Sequence, residues 1–261
     1  MRMKIIISPA KKMAADNDWM EAGQMPCFLS KAEKIHRYLN GLTLEELKDL
    51  WKCSHRLASS CEEQLRHMDL HRNLTPALLA YQGIQYQYMA PQVFTDSQWA
   101  YAEKSLRILS GFYGILRPLD GVVPYRLEMQ AKARVGESRD LYDFWGEDIC
   151  REAARDTDVI LNLASKEYSR CVEAFQKKIP PVITCVFGEL RNGKVVQNGT
   201  RAKMARGEMV RYLTAEACSD LETVKQFSGL DYHFCQELSD GKRYVFIAAH
   251  SRTGACIPSK D

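Results

Sequence analysis

The sequence predicts an α/β protein of mixed α+β character, with a mixed β-sheet flanked by helices and β-hairpins late in the chain. Three observations carry this expectation. Two short apolar runs, Lys4–Ser8 and Asp158–Asn162, have the length and bounds of buried strands. Capping signatures and helical spacing fill residues 30–81 and 95–110. Two hairpin signals, Asn192-Gly193 and Asp240-Gly241, come near the end. Such uneven alternation argues against a purely doubly wound sheet.

Composition narrows the classes. At 46% apolar and 26% charged, the chain is ordinary for a globular protein. A net charge of +3 is too small to announce a nucleic-acid binder, so any basic surface must come from local clustering. Nine cysteines occur without a C-x-x-C pair, and the start lacks a cleavable apolar region. Free thiols in a reducing cytoplasm are the simplest reading. No apolar run is long enough to cross a bilayer, and no internal repeat or low-complexity linker is found.

The first strand runs into Ser8-Pro-Ala-Lys-Lys12. Ligands gather at the carboxyl ends of strands in open α/β sheets. Ser8 and Lys11 would offer an anion a hydroxyl and a point charge there. The competing reading is a strand end followed by a solvated lysine pair, Lys11 and Lys12. Ser30-x-x-Glu33 fits a capping box, Gly41 a helix stop, and Thr43-x-x-Glu46 a second capping box. Leu57, Cys61 and Leu65 recur every four residues, as on a core-facing stripe. His67 and His71 share that spacing, but no acidic or cysteine partner pattern accompanies them, so no metal is expected. Thr75-Pro76 would open a short helix. Tyr81, Tyr86, Tyr88 and Phe94 surround Gly83. Aromatics beside a basic groove can stack on bases, but they are more often core residues with a hydroxyl at the rim.

The organising stretch is residues 105–128. Thr95-Asp96-Ser97-Gln98 fits a capping box, and Trp99, Ala102, Leu106 and Leu109 make one helical stripe. Gly111 would stop that helix. Gly111 and Gly114 flank Phe112-Tyr113, which would leave backbone N–H groups near Arg107, Arg117 and Arg126. Amides beside guanidinium groups make a phosphate cradle. The plainer alternative is a helix stop and a packed loop.

Tyr142 and Trp145 share a helix face and would anchor it to the core. The second strand ends in Asn162-Leu-Ala-Ser165, and Lys166, Glu167 and Tyr168 open a helix. Two strands, each ending in a hydroxyl and followed closely by a lysine, suggest one shared pocket for a phosphate or small molecule. Residues 182–190 and 194–197 would pair across Asn192-Gly193. Thr200–Leu213 reads as a basic helix with Lys203 and Arg206 at i,i+3 and Ala202, Ala205, Met209 and Tyr212 inward. Residues 232–237 and 244–249 form the second hairpin, and the last residues read as a frayed tail.

Seven blocks, in order, resemble the signature of one family. They are Ile5-Ile-Ile-Ser-Pro-Ala-Lys11, Ala80-Tyr-Gln-Gly-Ile-Gln-Tyr86, Leu109-Ser-Gly-Phe-Tyr-Gly-Ile-Leu-Arg-Pro-Leu-Asp120, Pro124-Tyr-Arg-Leu-Glu-Met129, Leu141-Tyr-Asp-Phe-Trp-Gly146, Asn162-Leu-Ala-Ser-Lys-Glu-Tyr168 and Lys203-Met-Ala-Arg-Gly207. The resemblance is to the YaaA family (UPF0246), bacterial peroxide-stress proteins. It implies one domain over residues 1–261 with a positively charged cleft and a fold of its own. It also implies a role in limiting iron-dependent damage and DNA binding through a helix-hairpin-helix-like element, here Leu106–Leu116. The turn Gly111-Phe-Tyr-Gly114 is one residue longer than the common Gly-apolar-Gly, and Pro118 shortens any second helix.

On this reading the DNA- or phosphate-binding set is Lys11, Lys12, Arg107, Ser110, Gly111, Tyr113, Gly114, Arg117, Tyr125, Arg126, Asn162, Ser165, Lys203 and Arg206. Contact would be with the phosphate backbone and not sequence-specific. The alternative is an enzyme acting on a small phosphate- or nucleotide-like substrate. Ser8, Lys11 and Glu128 would then be the catalytic candidates, with a cation-crowded lysine as base or nucleophile. No hydrolase triad, P-loop or dinucleotide fingerprint is present. Direct iron binding through cysteine and histidine is disfavoured, because the cysteines are scattered. The sequence leads us to expect a cytoplasmic monomer without cofactor or membrane partner.

Overall fold

The computed structural model describes residues 1–15 and 20–249. The expected frayed tail falls mostly beyond residue 249, outside the described residues.

The apolar runs form the middle of an eight-stranded mixed sheet. Its strands are β1 (Met3–Ile7), β2 (Leu106–Ser110), β3 (Gly114–Leu116), β4 (Val159–Leu163), β5 (Val182–Arg191), β6 (Lys194–Val196), β7 (Tyr232–Phe234) and β8 (Arg243–Ala248). Their order is β7-β8-β5-β4-β1-β2-β3, with β6 paired to the far half of β5. The stretch from β8 to β2 is parallel, and β3, β6 and β7 add antiparallel pairs at the margins. Ile5 lies between Leu106 and Leu161, and Ile7 between Ile108 and Leu163. Strands buried on both faces carry near-continuous apolar runs, and β1, β2 and β4 do so.

Helices cover this sheet. Those before β2 are α1 (Leu29–Asn40), α2 (Leu44–Trp51), α3 (His55–Arg66), α4 (Ala77–Ala80), α5 (Ile84–Met89) and α6 (Asp96–Ser105). After β3 come α7 (Leu141–Trp145), α8 (Asp148–Ala153), α9 (Lys166–Glu173), α10 (Gly199–Ala215) and α11 (Leu221–Lys225). Thr43 and Thr95 each form the expected capping box. Asn192 and Gly193 sit at φ +51° and +71°, which suits a type I′ turn between β5 and β6. No helix among the described residues is long and apolar enough to cross a membrane.

Four local expectations are corrected. The helix from Thr95 does not continue to Leu109. It ends at Ser105, and Leu106 turns extended at φ −88°, ψ 141°. A run with helical spacing that is also mostly apolar fits a strand slot beside β1, where all five residues are buried. Gly111–Gly114 therefore joins β2 to β3 as an antiparallel hairpin, with Ser110 opposite Gly114. The stretch Leu106–Leu116 is a β-hairpin and not a helix-hairpin-helix.

The other three corrections are smaller. α1 starts at Leu29 without the Ser30–Glu33 box, because Phe28 O already accepts from Lys31 N at 2.9 Å and Ala32 N at 3.0 Å. Thr75-Pro76 is extended and pairs with Gly121–Val122, so its helix begins at Ala77. On α3, Leu65 is buried but Leu57 is 41% exposed. Leu65 belongs to the core and Cys61 packs against it, while all three residues also line a cavity that leaves Leu57 open.

Candidate functional site

Adjacent parallel strands β1 and β4 bring their carboxyl ends together. Ser165 N donates to Ser8 Oγ at 2.8 Å, and Ser8 Oγ lies 3.2 Å from Ser165 Oγ. Tyr86 on α5 donates from its hydroxyl to Ser8 O at 2.9 Å. Asn162 works behind this wall. Its side-chain oxygen accepts from Ala164 N at 2.9 Å, and its amide donates to Thr184 Oγ1 at 3.1 Å and Glu173 Oε1 at 3.2 Å. Asn162 thus shapes the loop carrying Ser165 and does not line the cavity.

In front of the serines is a cavity of about 400 Å³. α10 contributes Lys203 and Arg206 to its lining, and the loop after β1 contributes Lys11 and Lys12. Tyr125, Arg126 and Glu128 come from the segment after β3, and Glu167 and Tyr168 from α9. Gly207 lets α10 approach α5, since a Cβ there would lie 2.1 Å from Gln85 O. Lys11 Nζ pairs with Glu128 Oε1 at 2.7 Å. The Nε atoms of Arg126 and Arg206 and the Nε2 of Gln85 are buried without a hydrogen-bond partner.

Electrostatics follow from burial. Burial pulls the Arg206 guanidinium below its ordinary value, although a guanidinium remains charged. Burial raises the Glu167 carboxyl, and the nearby Glu128 charge adds to the rise. Gln130 N donates to Glu167 at 3.3 Å. The Tyr125 hydroxyl meets Ser110 Oγ at 2.7 Å and Tyr81 OH at 2.8 Å, and burial pushes it up to about 12. Ser110 therefore holds Tyr125 in the cavity wall. The set offers donors and positive charge to an anion, apolar and aromatic walls to a ring, and two carboxylates for proton transfer.

Of the residues anticipated from sequence, Ser8, Lys11, Lys12, Tyr125, Arg126, Glu128, Ser165, Lys203 and Arg206 share this cavity. The glycine turn does not. Ser110 Oγ already accepts from Phe112 N at 3.2 Å and Tyr113 N at 2.9 Å. Trp145 Nε1 donates to Gly111 O at 3.0 Å, and a Cβ on Gly114 would strike the Trp145 ring at 2.8 Å. Gly111, Tyr113 and Gly114 are all buried, so the cradle is filled by the fold itself. Arg107 is 8% exposed and donates to Glu103 O at 2.9 Å and Leu106 O at 2.7 Å. Arg117 Nε pairs with Asp120 at 3.1 Å. Residue types alone did not mark Gln85, Glu167 and Tyr168 as site residues. The one available signal was their place in the blocks Ala80–Tyr86 and Asn162–Tyr168. His67 bonds Glu63 O, and His71 meets Glu33 at 3.1 Å. Among the described residues, no three His, Cys, Asp or Glu side chains group as metal ligands.

Fold and cavity together define a mixed α/β protein with a cavity at the carboxyl ends of its parallel strands, lined by Ser8, Ser165, Lys203 and Arg206. The chain belongs to the family described as "Peroxide stress protein YaaA", which matches residues 3–238. It is 51% identical over 247 residues to a UPF0246 protein of Desulfitobacterium hafniense, covering 95% of this chain and 98% of that one. UPF0246 proteins of Lachnoclostridium phytofermentans and Pediococcus pentosaceus are each 48% identical, over 95% and 94% of this chain and 98% of theirs. The family's description ties the chain to peroxide stress.

Proposed function

We propose that the strand-end cavity binds a small phosphorylated, nucleotide-like molecule, and that this binding underlies the chain's part in peroxide stress. One observation carries the reading. Arg126 and Arg206 present buried, unpartnered Nε–H groups in the same cavity as the two strand-end serines. An unsatisfied buried donor costs roughly 1–3 kcal/mol, and more on a charged group. A phosphate seated beside these guanidinium groups would supply an acceptor and a counter-charge. A volume of about 400 Å³ is at the scale of small-ligand sites. Tyr86, Tyr125 and Tyr168 supply the faces a base or sugar would lie against. Within such a complex, Glu128 with its partner Lys11 is the candidate acid–base pair, and Ser8 the candidate hydroxyl.

The test is calorimetric titration with inorganic phosphate, the four nucleoside 5′-monophosphates and a simple polyanion. Nucleotides should bind better than phosphate, and Arg206→Met should weaken them by at least about tenfold, the scale of one charge-assisted hydrogen bond. If nucleotides bind no better than the polyanion, or Arg206→Met leaves them unchanged, the reading fails.

A second reading is DNA binding, favoured by the exposure of Lys11, Lys12 and Lys203 at the cavity mouth. These lysines would meet phosphates of a strand without reading its sequence. In either reading, limitation of iron-dependent damage would follow indirectly, from ligand chemistry or from shielding of DNA. Competition between duplex and mononucleotide separates the two readings, since a shared cavity gives mutual exclusion.

A further inference from the structure

A second cavity, of about 360 Å³, lies under α3. Its wall is the stripe that helical spacing marks as core, Leu57, Cys61 and Leu65, extended by Gln64 and Met68. Lys11, Lys12, Tyr125 and Arg126 line this cavity and the strand-end cavity alike. A recess of about 120 Å³ lies against Lys11, Trp51, Arg126 and Glu128. Trp51, 5% exposed at the end of α2, lines both the second cavity and this recess, and its indole N–H has no partner. The dividing wall therefore carries Lys11, Lys12 and Arg126, and the far chamber sets Leu57, Leu65 and Met68 beside the polar Ser60 and Gln64.

Resting on the strand-end reading above, we infer that the two cavities form one bipartite site for a phosphodiester joining two nucleoside-like groups. The first unit occupies the strand-end cavity. The bridging phosphate sits at the shared wall, where Arg126 and Lys12 supply positive charge and Lys11 is tied to Glu128. The second ring enters the α3 chamber. There Leu57 and Met68 give it an apolar surface, and Trp51 adds an aromatic one. Gln64 and Ser60, exposed on α3, stand at the chamber where a base edge would reach solvent.

The test compares the four nucleoside 5′-monophosphates with their 3′,5′-linked homodinucleotides, by calorimetry and tryptophan fluorescence. The best dinucleotide should bind at least about tenfold tighter than its monophosphate. Ser60→Trp, which fills the chamber from an exposed position, should remove that surplus and leave monophosphate affinity unchanged. Trp51→Phe should abolish the fluorescence change caused by the dinucleotide. Equal affinities, or a surplus that survives Ser60→Trp, would overturn the bipartite site while the strand-end reading stood. Loss of monophosphate binding from the unaltered protein would overturn both. A further gain with longer single strands assigns the phosphodiester to a nucleic-acid strand, and no gain assigns it to a free dinucleotide.

Discussion

Arg117 looks from sequence like an open phosphate contact, yet its charge is already engaged. Its Nε lies 3.1 Å from Asp120 Oδ1, and its backbone N–H donates to Oδ2 at 2.9 Å. The Asp120 side chain is 1% exposed. Burial pushes that carboxyl up to about 6, against the opposing pull of Arg117. Folded Asp120 therefore binds its proton more tightly than the unfolded chain does. Stability from this group is full below its ordinary value of 3.8 and falls as pH rises through about 6. Arg117 offsets part of that fall once the carboxylate is charged. Arg117→Ala should thus cost about 2 kcal/mol above pH 6, below the full buried-pair value because the guanidinium reaches solvent. The loss should be nearly absent near pH 4, and nucleotide affinity should be unchanged. Urea denaturation at the two pH values, with titration of the same variant, checks this. Weakened nucleotide binding would return Arg117 to the site.

At the scale of elements, the crossing of α5 and α10 decides whether the site exists. Gly207 has Gln85 O at 2.1 Å and Tyr88 Cβ at 2.9 Å from where its own Cβ would be. In an open helix, Gly to Ala gains about 1 kcal/mol. Here the carbonyl contact reverses the sign, and overpacking of this kind costs about 1–3 kcal/mol. Gly207→Ala should lower stability by that amount and also weaken nucleotide binding, because Lys203 and Arg206 move away from α5 with the helix. A stability loss with full binding would show that α10 is not held to that position by the site. This crossing also explains what the sequence could and could not reveal. Ser8 and Ser165 were legible because each follows a short apolar strand, and parallel neighbours must end on the same side. The two late hairpins were legible from the local turn chemistry of Asn192-Gly193 and Asp240-Gly241. Leu106–Ser110 was misread because periodicity cannot separate a doubly buried strand from a buried helical turn. Gln85 and Glu167 were hidden because their relevance comes from a contact between distant elements, and nothing at either position alone records it.

For the whole molecule, 36 basic residues nearly balance 33 acidic ones, so long-range attraction of a polyanion is weak. Charge matters locally. In the strand-end cavity Lys11, Lys12, Arg126, Lys203 and Arg206 face Glu128 and Glu167, and Lys11 is tied to Glu128 at 2.7 Å. Such a site can neutralise about three phosphates, and a single strand releases about 0.7 counterions for each. The logarithm of affinity for single strands should therefore fall with the logarithm of salt at a slope of about −2. Between 50 and 200 mM salt that is a loss of about 20-fold. A protein laid along a duplex with six to ten phosphate contacts would lose about 10³–10⁵-fold over the same range. Anisotropy titrations of labelled single-stranded and duplex DNA across that range separate the two regimes. A shallow slope, with mononucleotides competing, fits a strand end or dinucleotide drawn into the cavity. A steep duplex slope without competition would require a second basic face elsewhere on the molecule, and would move the DNA reading away from the carboxyl ends of β1 and β4.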